Sequence, residues 1–179
     1  MSLKEITADL HTAAESTDFM KAVFARSLPR WQWIDWTYQK TLFYGAIEGA
    51  AGANRLLGDL PDIRRAFYLY MDFCAMNPEM EVYEYRPATI DYYNYILSIR
   101  NDPQRILAHL YVWHMGDLFG GQMIKRIVEG PHRSLEFADV DTLKTALRTK
   151  LTDDLGDEAR VAFEWAIRLM NEYSNELAA

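Results

Sequence analysis

Six prolines, at positions 29, 61, 78, 87, 103 and 131, punctuate the 179-residue chain. A proline lacks the backbone N–H and fixes φ, so it belongs in the first turn of a helix or just past its end. Between the prolines the apolar residues recur at helical spacing, and no stretch alternates as a strand would. Together these facts predict an all-α chain. The expected form is a multi-helical bundle in a single domain over residues 1–179, a length that can bury a full core. Ser2-Leu3-Lys4-Glu5 reads as a capping box opening the first helix, with Leu3, Ile6, Leu10 and Ala14 as its apolar stripe. Ser16-Thr17-Asp18 breaks and recaps that helix. Further helices are expected over 31–53, 61–76, 87–99, 103–128, 141–151 and 157–177, with Asp102 as the N-cap before Pro103.

Charge and composition remove several function classes. A net charge of −7 argues against a general nucleic-acid role. The single cysteine, Cys74, excludes an internal disulfide and any Cys-rich metal site, and its apolar neighbours suggest a small buried hydrophobe. Lys4, Glu5 and Asp9 interrupt any secretory signal, and no apolar run approaches the ~18 residues that would cross a membrane. The expected setting is soluble and cytoplasmic. No His-Glu-x-x-His zinc motif, Gly-x-Ser-x-Gly elbow or Walker phosphate loop occurs.

The most informative stretch is 110–124, Leu-Tyr-Val-Trp-His-Met-Gly-Asp-Leu-Phe-Gly-Gly-Gln-Met-Ile. Its flanks are helical, yet it holds three glycines, each costing about 1 kcal/mol against alanine in a helix interior. Gly116 and Gly120 share a face, with Gly121 beside them and Asp117 at the edge. Such a bare strip admits either a neighbouring helix or a flat ligand. Taken alone it favours helix packing, the commoner use of small residues. Asp117 is costly to bury without a partner, and the Tyr44 hydroxyl could serve as one. Of the four histidines, His11 lies one helical turn before Glu15, a spacing that can fix which imidazole nitrogen faces a metal. On spacing alone, a partly buried helix histidine paired with a nearby glutamate is the better explanation. His109 and His114 read as packing or surface residues, and His132 as a loop residue. One metal-ligating histidine and a side-chain-free helix elsewhere would suit a flat macrocycle held from both faces.

Two well-separated motifs then carry a family resemblance. Residues 3–15, Leu-Lys-Glu-Ile-Thr-Ala-Asp-Leu-His-Thr-Ala-Ala-Glu, resemble the proximal helix of heme oxygenases. Leu107-Ala108-His109-Leu110-Tyr111 through Met115-Gly116-Asp117-Leu118-Phe119-Gly120-Gly121-Gln122 resembles their distal helix, and this second motif is highly specific. The resemblance implies heme b as both cofactor and substrate, with His11 as iron ligand and Glu15 orienting it. Gly116 and Gly120 would lie against the distal face of the heme, and Gly121 would permit a kink. Asp117 would hold a distal water network with Tyr44. Lys4, Tyr111, Lys144 and Arg148 would meet the propionates, and Phe163 would pack on the heme.

By the same resemblance, O2 and a reductant would open the ring at a meso carbon, expected to be alpha, giving biliverdin, CO and ferrous iron. Soluble forms generally take electrons from ferredoxin, and a downstream bilin reductase is a conceivable partner. Lys4, Lys125, Arg126, Lys144, Arg148 and Lys150 could form a basic patch for an acidic donor. Four positions depart from the family pattern, one being Ala8, where some proximal helices carry a second basic residue. Trp113 stands where relatives often have arginine, His114 where tyrosine is common, and Phe119 where a small polar residue is usual. Two alternatives therefore stay open: a non-catalytic heme carrier on the same fold, and a non-heme helical protein in which His11 is merely structural.

Overall fold

The computed structural model describes residues 2–177, and no strand occurs among them. The Ser2 capping box forms as expected: its side chain accepts from Glu5 N–H, and the Glu5 carboxylate accepts from Ser2 N–H at 2.6 Å. The first helix is nevertheless two pieces, α1 (Leu3–Ile6) and α2 (Ala8–Glu15), joined at Thr7. Thr7 is buried, and its hydroxyl donates back to Leu3 O at 3.0 Å. A hydroxyl that competes for the helical carbonyl is the local reason for the break. Thr17 then caps α3 (Asp18–Phe24) by accepting from Met20 N–H.

The long helix α4 (Arg30–Ala53) follows, and then α5 (Ala66–Met76), which starts later than proline placement suggested. The reason is tertiary. The buried Glu48 carboxylate of α4 accepts from the N–H groups of Arg65 and Ala66, satisfying donors that the start of a helix leaves orphaned. Residues 61–65 are turn and irregular backbone, with Asp62 at φ +63°. Cys74 on α5 is exposed, not the buried hydrophobe expected from its neighbours.

Helices α6 (Pro87–Ile99) and α7 (Pro103–Ile127) both carry proline in the first turn, and Asp102 caps α7 by accepting from Gln104 N–H and Arg105 N–H. A 3-10 turn (Arg133–Leu135), α8 (Val140–Thr149), a second 3-10 turn (Asp153–Leu155), α9 (Gly156–Asn171) and α10 (Ser174–Leu177) complete the chain. The segment expected to run to residue 177 is thus interrupted after Asn171.

Helix α4 packs on α5, α6 and α7, and α9 packs on α2 and α7. The core between them is strongly aromatic: Phe19, Trp36, Phe43, Tyr44, Tyr92, Trp113 and Tyr173 are all buried. Arg160 of α9 ties down the start of α2. It donates to Ile6 O at 2.7 Å and to both Asp9 carboxylate oxygens at 2.6 and 2.9 Å. That pairing holds the Asp9 carboxyl down at about 2. No helix among the described residues is long and apolar enough to cross a membrane.

Candidate functional site

Asp117 is buried on α7 and has two partners on α4. The Tyr44 hydroxyl donates to Oδ2 at 2.8 Å, and the Lys40 ammonium donates to Oδ1 at 3.2 Å. Lys40 also lies over the Tyr44 ring, 4.8 Å from its centroid. Complete burial, reinforced by the neighbouring carboxylate, pushes the Tyr44 phenol well above its usual range. Tyr44 therefore stays protonated and acts as a donor. The Tyr44–Asp117 pairing is the one expected from sequence. Lys40 was missed, although a signal exists: it precedes Tyr44 by four residues, so both leave α4 on one face.

The glycines divide by face. Gly116 and Gly120 are exposed, and a methyl group added at either would meet nothing within 4 Å. Phe119 and Met123 extend the exposed strip. Gly121 does not share it. Gly121 is buried, and an added Cβ would fall 2.8 Å from Leu135 Cδ2. Its small size serves the 3-10 turn packed behind α7. Asp72 fixes that turn by accepting from Arg133 N–H, Ser134 N–H and the Ser134 hydroxyl at 2.8–3.0 Å. Gln122 adds a bond to Leu135 O at 3.0 Å.

His11 projects from α2 with 59% of its side chain exposed. Glu15 Oε2 stands 3.6 Å from Nδ1, which leaves Nε2 as the outward ligand atom. The Phe163 ring of α9 meets the imidazole edge-on at 5.9 Å. Tyr111 is half-buried on α7 beside Thr7, at the α1–α2 junction. On α8, the Lys144 ammonium lies 4.0 Å from the Phe119 ring centroid and the Arg148 guanidinium 5.3 Å. The basic pair thus stands beside the open glycine face. Lys4 is exposed on α1. Lys150 instead pairs with Asp59 at 2.5 Å. Among the described residues no cluster of three or more His, Cys, Asp or Glu could hold a metal ion.

The sequence profile of the family described as heme oxygenase matches residues 1–144. The chain belongs to the heme oxygenase family. Similar curated proteins include the heme oxygenase of Porphyra purpurea, 27% identical over 79% of this chain and 66% of that protein. Human heme oxygenase 1 is 28% identical over 72% of this chain and 48% of that protein. The chain thus aligns with just under two thirds, or less, of these relatives' lengths. Among solved structures, the Synechocystis heme oxygenase-1 in complex with heme superposes with a TM-score of 0.83 at 22% identity, covering 98% of this chain and 92% of that one. Heme oxygenase from Leptospira interrogans gives 0.81 at 24% identity, covering 96% and 100%. These likenesses establish the all-α heme oxygenase fold.

The departures on α7 from the heme oxygenase pattern are all accommodated. Trp113 packs its ring on Phe43 and Tyr44 and donates its indole N–H to the Tyr92 hydroxyl at 2.8 Å. Tyr92 bonds His109 Nδ1 at 2.7 Å, and His109 Nε2 bonds Glu158 at 2.9 Å. Burial lowers the His109 pKa, so the ring is neutral, donating from Nε2 and accepting at Nδ1. His114 is also fully buried and bonds Glu48 at 2.9 Å, the carboxylate that caps α5. His109 and His114 are therefore core groups, neither surface residues nor ligands. His132 is buried too, and its Nε2 donates to Val128 O at 2.7 Å.

Proposed function

We propose that this chain is a heme oxygenase enzyme. It binds heme b between His11 and the Gly116/Gly120 face and uses O2 and a reductant to open the porphyrin at a meso carbon, releasing biliverdin, CO and ferrous iron. The observation that carries the reading is the Tyr44–Asp117–Lys40 cluster buried next to an exposed strip of helix with no side chains. A carboxylate with a fixed proton donor, placed beside bare backbone, suits chemistry at a flat ligand more than helix packing. No neighbouring helix covers Gly116 or Gly120 within van der Waals distance of an added Cβ.

The residues present fit heme. His11 offers Nε2, and Glu15 beside Nδ1 sets the orientation of the ring. Phe163 limits how the imidazole can turn. Phe119 and Met123 supply apolar surface on the distal side, and Lys144 and Arg148 supply positive charge for the carboxylates at the heme edge. When bound, heme supplies both the iron that activates O2 and the carbon that is oxidised.

The chain does the rest. The Gly116/Gly120 backbone allows close approach and leaves room only for a small molecule on that side. Asp117 accepts from Tyr44 and Lys40 and can hold a water through its remaining lone pairs. Such a water delivers protons beside the heme without a strong acid touching the iron. The aromatic core behind Asp117 limits bulk solvent. Lys144 and Arg148 would hold the carboxylates at one heme edge and so select the carbon presented to the distal side, which we assign to the alpha meso position. An acidic electron donor of the ferredoxin class would dock on the basic residues at this edge, and a bilin reductase would take the product.

Anaerobic reconstitution with hemin, followed by O2 and a reductant, tests the reading. Decay of the Soret band with growth of a bilin absorbance is expected. A Soret band that persists through repeated reduction would mean carriage without turnover. No His-ligated spectrum at all would mean a non-heme protein.

A further inference from the structure

We infer that Lys40 is a positioning residue for the proposed reaction, its ammonium fixing the orientation of Asp117 from behind the distal helix. The inference rests on the heme oxygenase reading and adds a residue to it.

Lys40 sits at mid-length in α4, between the buried residues Trp36 and Phe43. A lysine there must bury its stem and most of its ammonium, a cost that only a close anionic partner offsets. Only 11% of the Lys40 side chain and 9% of that of Asp117 are exposed. Their contact joins α4 to α7 across 77 residues of sequence. Tyr44 occupies the other carboxylate oxygen. Asp117 is thus clamped at both oxygens by groups of one helix, one a cation and one a neutral donor. The two-point clamp fixes the direction in which the carboxylate's free lone pairs point.

The ammonium has two further N–H groups. A cavity of about 40 Å³ opens on the same side of α7, lined by Lys40, Asp117, Trp33, Asp72, His132 and Ser134. A water needs roughly 10–15 Å³ by this measure, so a few fit. The buried indole N–H of Trp33 has no protein partner among the described residues. The cavity therefore has polar walls and room for solvent, which would complete the coordination of the ammonium and connect Asp117 to a proton supply away from the heme face. The titratable groups around this point are Asp117 on α7, Tyr44 on α4, Asp72 on α5 and His132 ahead of the first 3-10 turn. Glu48 and His114 lie beyond Tyr44.

The test compares Lys40→Met, Lys40→Arg and Lys40→Met with Asp117→Asn, each loaded with hemin. The first readout is the pH midpoint of the acid-to-alkaline change in the ferric visible spectrum, which senses charge on the distal side and needs no turnover. Lys40→Met should raise that midpoint by about one pH unit, because a cation that favours the alkaline form is lost. Lys40→Arg should restore it. The double variant removes both charges, guards against misfolding of the single variant, and should return the midpoint to within a few tenths of wild type. The second readout is the rate of bilin formation, expected to fall about tenfold in Lys40→Met with hemin affinity unchanged within twofold. An unmoved midpoint in a folded Lys40→Met that binds hemin overturns the proposal. A wild type that binds hemin but makes no bilin overturns the enzyme reading instead, and the midpoint comparison still decides the Lys40–Asp117 relationship. Failure of the wild type to bind hemin overturns both.

Discussion

Trp113 turns its indole N–H away from Asp117 and donates it to the Tyr92 hydroxyl at 2.8 Å. A side chain only three residues before Gly116 thereby belongs to the core, not to the site. The bond starts a directional chain: Trp113 donates to Tyr92, Tyr92 donates to neutral His109, and His109 donates to Glu158. With Trp113 withdrawn, the polar groups left to Asp117 come from α4, and they are Tyr44 and Lys40.

His11→Ala should abolish the His-ligated ferric heme spectrum while leaving the helical circular dichroism intact, since His11 is exposed. Added imidazole should restore the ligand bands. An unchanged spectrum in His11→Ala would assign the iron ligand elsewhere.

Asp117→Ala should lower bilin yield at least tenfold, and Tyr44→Phe by less, because the phenol acts through the carboxylate. Tyr44→Phe leaves one carboxylate oxygen without its buried donor, so a stability loss of roughly 1–3 kcal/mol is also expected. Product separation by chromatography and a thermal melt give the two numbers. Wild-type bilin yield from Asp117→Ala would remove it from the distal role.

The glycines offer a test in which stability and binding move in opposite directions. Gly116→Ala and Gly120→Ala add a methyl group to empty space, so the heme-free protein should gain about 0.5–1 kcal/mol. Hemin affinity should fall. Gly121→Ala should instead destabilise the heme-free protein by about 1–3 kcal/mol, because Leu135 has to shift. Equal behaviour of all three in melts and hemin titrations would contradict the division of faces.

Phe119→Ala removes the ring on which Lys144 and Arg148 rest. Each exposed cation–π contact contributes about 0.5–1 kcal/mol. Hemin affinity should therefore drop roughly three- to tenfold with no change in the ligand spectrum. Titration of heme-free Phe119→Ala with hemin, beside Lys144→Ala, measures it. No change in either variant would leave the basic pair without a heme role.

Glu158 sets a pH dependence of stability. Burial works to raise its pKa, but hydrogen bonds from His109, Tyr95 and Arg105 outweigh burial and hold it at about 2, against an ordinary 4.5. A depressed carboxyl stabilises the fold fully above 4.5 and loses that contribution as pH falls towards about 2. After allowance for solvent screening, the contribution is on the order of 1–3 kcal/mol. His109 works in the same direction, since burial lowers its pKa and acid must charge it. Melts from pH 6 down to pH 2, a range of roughly those pKa values, should show a loss that Glu158→Gln flattens. Parallel curves for the two proteins would rule the network out as its source.

Much of the site was legible along the chain. His11 and Glu15 lie one turn apart on one short helix, and Gly116 and Gly120 lie one turn apart on another. Helical geometry alone then places each pair on a common face. The glycine motif identified the family, and prolines set the starts of α4, α6 and α7. What local rules predicted poorly was governed by distant partners. Helix α5 begins at Ala66 because Glu48, far back on α4, supplies the cap. Thr7 is the local exception, dividing the first helix through its hydroxyl bond to Leu3 O. Gly121 left the open face because Leu135 occupies the space beside it.

By itself, then, the sequence determined the helices, the open strip at Gly116 and Gly120, and the His11–Glu15 pair, because each follows from spacings within one helix. Only the tertiary structure decided which cation meets Asp117, where Trp113, His109 and His114 spend their polar atoms, and how Phe119 seats the basic pair of α8. These contacts join residues tens of positions apart. Burial requires each polar group to find a partner, but packing alone chooses which one.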